Sequence, residues 1–130
     1  MRYRSAMQLN ATSPQAPFRV TRYTADSVTV ADQTVTHSAI LTPTQWLPWS
    51  IHSITDLTPA SFAPFLTLKV SVLLLATDGQ ARWTEPALFA HAAAHGIGME
   101  VMTLGAAART YNLLASDDRA VALAWILPRR

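Results

Sequence analysis

Four consecutive side chains near the carboxyl end of the sequence carry most of its chemistry: Arg109, Thr110, Tyr111 and Asn112. They interrupt a segment that is otherwise rich in Ala and Leu, where packing alone requires no polar side chain. A guanidinium offers five donors, an amide offers donors and an acceptor, and a phenol adds a flat amphipathic ring. This set could recognise a carboxylate, a phosphate or the backbone of a partner.

The same residues also allow a purely structural interpretation. Tyr111 would pack in the core, Thr110 would bond a carbonyl group, and Arg109 would pair with an acid such as Glu100. If Arg109 and Asn112 serve recognition, truncating either to alanine should change the free energy of unfolding by less than about 1 kcal/mol. If they belong to a buried network, each truncation should cost about 2 kcal/mol or more. The sequence leaves both interpretations open.

Histidines, carboxylates and glycines give weaker signals. His91 and His95 are spaced to share one side of a helix, but no third ligand is near them in sequence, and we expect no metal site. Asp78 follows an apolar run and could be a functional carboxylate, although an Asp-Gly pair more often forms a turn. The glycines Gly96 and Gly98 close a helix instead of opening one. We therefore predict no catalytic residue, no metal and no cofactor.

Composition indicates a folded domain. Half of the 130 residues are apolar and 14% are charged, which suits a chain with one sizeable core. The absence of cysteine excludes disulfides and thiolate metal sites. The net charge is +2, yet the arginines gather near the two ends without a basic stripe, so we expect no nucleic-acid partner. The longest uncharged run contains Pro43 and Pro48 and cannot span a membrane.

The first half of the chain predicts a tail followed by strands. Residues 1–16 have no hydrophobic periodicity and are expected to form a tail, whereas residues 17–130 are expected to form one domain. Short β-branched runs between residues 18 and 41 predict two or three strands of an antiparallel meander. A proline-containing loop is expected over residues 42–50.

The second half predicts alternating strands and helices. A helix begins at Thr58 and Pro59, and Pro64 is expected to end it early. An apolar run over residues 70–76 predicts a strand that is buried on both faces. Further strands are expected over 98–102 and 119–127, and helices over 86–95 and 104–115. In the last helix the expected packed stripe is Ala106, Thr110, Leu113 and Leu114. The order of these elements predicts a layered α/β domain with a mixed central sheet.

Three segments carry a resemblance to a known family. Glu100-x-Met102, then the run from Ala106 to Asn112, then the run from Asp118 to Ala122 resemble the signature of the small Mth-type domain family. That family has no established biochemical function, and its relatives include the mitochondrial complex I assembly factor and an adipogenesis-associated Mth-domain protein. The resemblance implies a three-layer Mth-like α/β fold, with an antiparallel β meander followed by a βαβαβ unit and a mixed central sheet.

The resemblance also implies a function without an established enzymatic activity. We expect a non-enzymatic binding or assembly module with a protein partner, linked by resemblance to the assembly of respiratory complex I. The alternative is a small-molecule-binding protein or an uncharacterised enzyme that uses a cleft at the end of the sheet. The expected site residues are Ser38, Thr77, Arg109, Thr110, Tyr111 and Asn112. The expected location is the bacterial cytoplasm, or the mitochondrion for a eukaryotic source, and self-association into a homo-oligomer stays open.

Overall fold

Alternating valines build an antiparallel meander at the start of the described chain. The computed structural model describes residues 18–77 and 85–128. The strands of the meander are β1 (Val20–Thr24), β2 (Ser27–Val30) and β3 (Gln33–Val35), and they pair in that order. Val28 and Val30 are fully buried, whereas Thr29 between them is half-buried, as strand alternation requires. The predicted meander is therefore confirmed over residues 20–35, whereas residues 39–41, the end of its expected range, form a strand of the central sheet.

A five-stranded mixed sheet forms the middle of the molecule. Its members are β4 (Ala39–Leu41), β5 (Trp46–Pro48), β6 (Val72–Thr77), β7 (Gly98–Thr103) and β8 (Val121–Trp125), in the spatial order β5-β4-β8-β6-β7. The inner strand β6 is parallel to both β7 and β8, whereas β4 is antiparallel to β5 and β8. Strands β6 and β8 are buried almost throughout, which explains their unbroken apolar sequences.

Helices and the meander cover the two faces of this sheet. The helices are α1 (Ala63–Leu68), α2 (Pro86–Ala94) and α3 (Leu104–Ser116), and single 3₁₀ turns span Ile54–Asp56 and Pro59–Phe62. Leu73 and Leu75 of β6 pack towards the layer that contains α1 and α2. Leu74 and Ala76 pack towards α3 and the meander. This arrangement is the predicted three-layer α/β fold.

Pro64 does not end a helix, contrary to the prediction. It lies in the first turn of α1, where its missing amide hydrogen breaks no helical hydrogen bond. The preceding 3₁₀ turn begins at Pro59, with Thr58 and Ser61 forming a capping box. Helix α1 ends at Leu68, and the capping residue Lys69 has a left-handed φ of 59°. The loop expected over residues 42–50 contains the edge strand β5, where the lost donor of Pro48 is tolerated.

The packed stripe predicted for α3 is also wrong, except at Leu114, which is partly buried against the core. The buried residues are Ala107, Ala108, Tyr111 and Ala115, whereas Leu113 is 66% exposed. Both stripes have helical spacing, but the observed one turns the large ring of Tyr111 into the core. The small side chains beside it let the helix backbone approach the sheet. Tyr111 therefore determines the rotation of α3.

Some sequence predictions fall outside the described residues. These are the tail expected over residues 1–16 and the turn at Asp78 and Gly79. Among the helices that the structure describes, none has the length and apolar character that a membrane crossing needs.

Candidate functional site

Asn112 bonds the backbone of β1 through both atoms of its side-chain amide. Its Oδ1 accepts from the Val20 amide at 3.0 Å, and its Nδ2 donates to the Val20 carbonyl at 2.9 Å. Strand β1 is the edge strand of the meander, and the Asn112 amide makes the pair of backbone hydrogen bonds that a neighbouring strand would make. The amide of Asn112, one of the predicted binding residues, is therefore already hydrogen-bonded within the fold.

Tyr111 is engaged in the same way. Its ring is fully buried, and its hydroxyl donates to the Phe18 carbonyl at 2.9 Å. Burial raises the pKa of the Tyr111 phenol above its usual value of about 10, and the positive charge of Arg19 partly opposes that rise. Tyr111 and Asn112 together attach the first strand of the meander to α3.

Arg109 and Thr110 behave differently from their two neighbours. Arg109 is exposed, and the described residues offer it no hydrogen bond and no ion pair, so that the pairing with Glu100 considered above is not observed. Thr110 is half-buried, and within the described chain its hydroxyl makes no bond to a carbonyl. Of the four consecutive candidates, Arg109 has a polar group that remains available for recognition.

Ser38 is buried and hydrogen-bonds the backbone just after the last strand. Its Oγ accepts from the Leu127 amide at 2.8 Å and donates to the Leu127 carbonyl at 3.2 Å. The neighbouring His37 carbonyl accepts from Trp125 Nε1 at 2.9 Å. Because Leu127 and Trp125 line the cleft described next, Ser38 supports the cleft from behind and does not line it.

A cleft opens where the parallel strands β6, β7 and β8 end. It has a volume of about 220 Å³ and lies on the side of the sheet that faces α3. Its lining is formed by the β1–β2 hairpin, the ends of these three strands and the start of α3, represented by Tyr23, Thr77, Leu104, Trp125 and Leu127. The carboxyl edge of parallel strands is where open α/β sheets bind their ligands.

Thr77 is the unusual polar residue of this cleft. It is 2% exposed, and its hydroxyl oxygen is buried without a hydrogen-bond partner among the described residues. Such a hydroxyl costs about 1–3 kcal/mol unless a ligand or a further group completes it. Thr77 shares a strand face with Leu75 and also lines a second cavity of about 270 Å³ beside His52 and Ser53. Thr77 thus lies between two spaces at the sheet end.

The wall between the β1–β2 hairpin and α3 depends on a close contact with glycine. A Cβ atom at Gly105 would lie 2.5 Å from Tyr23 Oη and 3.5 Å from Arg109 Nη1. Only glycine lets the Tyr23 phenol rest on the first turn of α3 without displacement. The same helix end lacks a side-chain cap, since the Thr103 hydroxyl bonds none of the first-turn amides. The amino end of α3 is therefore polar and electropositive beside the cleft.

A larger cavity lies at the opposite edge of the sheet. Its volume is about 520 Å³, and its lining includes Thr42, Ser116, Asp118 and Arg119. The hydroxyls of Thr42 and Ser116 already bond Gln45 and Asn112 carbonyls, respectively. This edge holds the amino ends of the parallel strands and, within the described ranges, shows no buried polar atom that lacks a hydrogen-bond partner. We therefore prefer the sheet-end cleft despite its smaller volume.

The two helical histidines form no metal site within the described residues. Their ring centroids are 4.7 Å apart, but His95 Nδ1 lies 3.0 Å from the His91 carbonyl. No group of three or more His, Asp or Glu side chains in the described ranges could hold an ion.

The structure thus separates the predicted site residues into two kinds. Thr77 lines the cleft and Arg109 lies beside it, whereas Ser38, Tyr111 and Asn112 support the walls through internal bonds. The sixth predicted residue, the half-buried Thr110, belongs to neither kind. Residue types and spacing did not indicate the lining residues Tyr23, Leu104, Trp125 and Leu127. Gly105 could have indicated the Tyr23 wall, because a glycine in the first turn of a helix often marks a close approach of another group to the helix backbone.

Comparisons with known proteins agree with this architecture. A family model described as a protein of unknown function (DUF498/DUF598) matches residues 20–126. The solution structure of a Xanthomonas campestris protein is 36% identical, with a TM-score of 0.78, over 93% of this chain and 92% of that chain. A crystal structure of a Bordetella parapertussis protein is 28% identical, with a TM-score of 0.79, over 90% of this chain and 100% of that chain.

A third solved structure gives the fold a name. It is a solution structure from Bordetella pertussis described as a Mth938-like domain, 24% identical, with a TM-score of 0.76, over 94% of this chain and 92% of that chain. This likeness confirms the predicted Mth-like fold. None of the curated proteins compared with the chain matches it.

Proposed function

The chain belongs to the family described as a protein of unknown function (DUF498/DUF598), and within that family we propose that it is a non-enzymatic binding module whose binding site is the sheet-end cleft. The observation that carries this proposal is a largely apolar cleft at the carboxyl edge of the parallel strands, with Thr77 at its border, whose buried hydroxyl has no hydrogen-bond partner among the described residues. This edge of a parallel sheet is where open α/β folds bind their ligands, and apolar walls favour an apolar group.

The composition of the cleft favours binding over catalysis. Its described lining consists of apolar residues, threonines and one tyrosine, and it contains none of the His, Asp, Glu, Lys or Cys side chains that most often serve as general acids, bases or nucleophiles. Its volume of about 220 Å³ is below the roughly 300–1,000 Å³ of pockets for whole small molecules. An apolar side chain or a short alkyl group fits this space better than a nucleotide does.

The proposal is tested by closing the cleft from its exposed rim. Ala25 lines the cleft and is exposed, so that Ala25→Leu should narrow the mouth at little cost in stability. The matched control is Ala93→Leu, at an exposed position of α2 on the other side of the sheet. We expect octan-1-ol to shift the methyl NMR signals of Leu104, Ile126 and Leu127 in the wild type and in the control, and to shift them much less in Ala25→Leu. Equal responses in all three proteins would contradict a site in this cleft.

The cellular role that we propose is protein assembly in a bacterial cytoplasm, linked by resemblance to respiratory complex I. A strain without the chain should then contain less assembled complex I on native gels. Wild type and Ala93→Leu should restore the complex, whereas Ala25→Leu should not. An unchanged amount of assembled complex I in the deletion strain would contradict the link to complex I. The binding proposal would then depend on the octan-1-ol experiment alone.

A further inference from the structure

Two arginines face a groove that adjoins the sheet-end cleft. The groove lies between β1 and α3, has a volume of about 330 Å³, and includes Arg22, Tyr23, Arg109 and Asn112 in its lining. None of its described lining residues is acidic. Tyr23 also lines the cleft, so that its ring is a wall shared by the two spaces.

The positive charges of this groove lack partners within the described chain. Arg22 and Arg109 are both exposed, and no hydrogen bond or ion pair to a described residue engages either guanidinium. Arg109 Nη1 lies beside the Tyr23 phenol at Gly105. Two like charges that face one groove repel each other, and an anion between them would relieve that repulsion.

The surroundings add further positive potential. Arg19 acts on the same side of α3, since its charge influences the buried phenol of Tyr111. The amino end of α3, without a cap from the Thr103 side chain, contributes partial positive charge. Asp26, the acid in the β1–β2 turn, already accepts a hydrogen bond from the Thr24 hydroxyl at 3.0 Å.

We propose that this site binds an amphipathic carboxylate, with its apolar body in the sheet-end cleft and its carboxylate on Arg22 and Arg109. This inference rests on the proposed binding function and specifies its ligand class. Guanidinium groups bind carboxylates through paired, charge-assisted hydrogen bonds. The cleft of about 220 Å³ and the groove of about 330 Å³ lie on either side of the Tyr23 ring, so a ligand that lies across this ring reaches both.

The test separates the two halves of the ligand with three probes. Octanoate carries both halves, octan-1-ol has the apolar body alone, and acetate has the carboxylate alone. NMR titration of the wild type should give octanoate the tightest binding, about tenfold to a hundredfold tighter than octan-1-ol, because a charge-assisted bond is lost in the alcohol. Acetate should bind far more weakly than octanoate.

Matched charge variants identify the groups that bind the carboxylate. Arg22→Gln with Arg109→Gln should lower octanoate affinity to that of octan-1-ol while octan-1-ol affinity is unchanged. Lys69→Gln with Arg119→Gln removes the same charge away from the groove and should leave octanoate affinity at the wild-type value. Thermal midpoints of both double variants verify that folding is intact.

The outcomes distinguish this inference from the proposed function. The carboxylate site is contradicted if octanoate binds no tighter than octan-1-ol, or if it binds the Arg22/Arg109 variant as tightly as the wild type. Either result is compatible with binding of an apolar group in the cleft. A failure of both octanoate and octan-1-ol to bind overturns the cleft as well.

The source of the carboxylate is resolved by a peptide comparison. A short peptide ending in Leu-Leu with a free carboxylate, compared with its carboxamide, reports on recognition of a protein C-terminus. If the peptide acid binds tighter than octanoate, the ligand class is a C-terminal segment, and the reverse order assigns a free acyl acid. Either order of affinities supports the inference, provided that the tighter ligand loses affinity in the Arg22/Arg109 variant.

Discussion

At the scale of single residues, neighbours in sequence have opposite roles. Arg109 is exposed without a described partner, whereas Asn112 gives its amide to Val20 and Tyr111 gives its hydroxyl to Phe18. Sequence composition shows that such a cluster is unusual for an Ala-rich helix. It could not assign these roles, because the bonding partners are 92 and 93 positions away along the chain.

The opposite roles predict opposite effects of two alanine substitutions. Asn112→Ala should lower the free energy of unfolding by about 2 kcal/mol, because the Val20 amide and carbonyl lose their partners. Arg109→Ala should change it by less than about 1 kcal/mol, as expected for an exposed side chain. Denaturant melts of the two variants measure the difference. Equal and small effects would mean that Val20 does not depend on Asn112.

Tyr111 makes stability depend on alkaline pH. Burial raises the pKa of its phenol above the value of about 10 found in unfolded chains, so the folded state favours the protonated form. Its contribution is complete below about pH 10 and is lost as the pH rises towards the folded-state pKa. Wild-type stability should therefore fall more steeply above pH 10 than that of Tyr111→Phe, which lacks the titrating group.

The pH comparison needs a control for other alkaline titrations. Tyr23→Phe removes an exposed phenol and retains Tyr111, so it should keep the wild-type slope above pH 10. At neutral pH, Tyr111→Phe should cost about 1–2 kcal/mol, because the Phe18 carbonyl loses its donor. Parallel curves for the wild type and Tyr111→Phe would assign the alkaline loss to other groups.

At the scale of elements, burial determines what a sequence pattern reveals. Strands β6 and β8 were predictable, because burial on both faces leaves an apolar run with few alternatives. The rotation of α3 was not predictable from spacing, since two stripes fit the helical period and the large aromatic Tyr111 selects between them. Pro64 was misjudged because proline both ends helices and begins them, and tertiary packing decides which occurs.

Gly105 provides a test of how α3 and the β1–β2 hairpin form the cleft wall. Gly105→Ala places a methyl group where Tyr23 Oη lies, and the half-exposed Tyr23 can swing outward to avoid it. We expect the free energy of unfolding to stay within about 1 kcal/mol of wild type, because the higher helix propensity of alanine offsets the displacement. NMR shifts should report the ring movement, and octan-1-ol binding should weaken.

Another glycine offers the matched comparison. A Cβ at Gly98 would meet Ser71 O at 3.8 Å, an ordinary contact distance, and this residue lies at the start of β7. Gly98→Ala should therefore leave both the Tyr23 signals and octan-1-ol binding as in the wild type. Weakened binding in both variants would show that the effect does not arise at the Tyr23 wall.

At the scale of the whole molecule, two layers are joined by a few long-range bonds at the start of the domain. Phe18 donates its amide to the Pro43 carbonyl at 2.9 Å, and Phe18 and Val20 also accept bonds from Tyr111 and Asn112. Val20 is buried beside α3. Residues 18–20 thus add hydrogen bonds to the apolar contacts by which Val28, Val30 and Val35 pack the meander into the core.

These bonds define where the chain can be shortened. A chain that starts at Pro17 retains them, and residues 1–16 lack the hydrophobic periodicity that burial requires, so its thermal midpoint should stay within a few degrees of the full-length value. A chain that starts at Thr21 loses the partners of Tyr111 and Asn112 and the buried side chain of Val20. Its midpoint should fall by about 10 °C or more, since each lost kcal/mol lowers the midpoint of such a domain by several degrees. Calorimetry of the three chains measures both differences, and a large fall in the chain that starts at Pro17 would mean that residues 1–16 contribute to the packed domain.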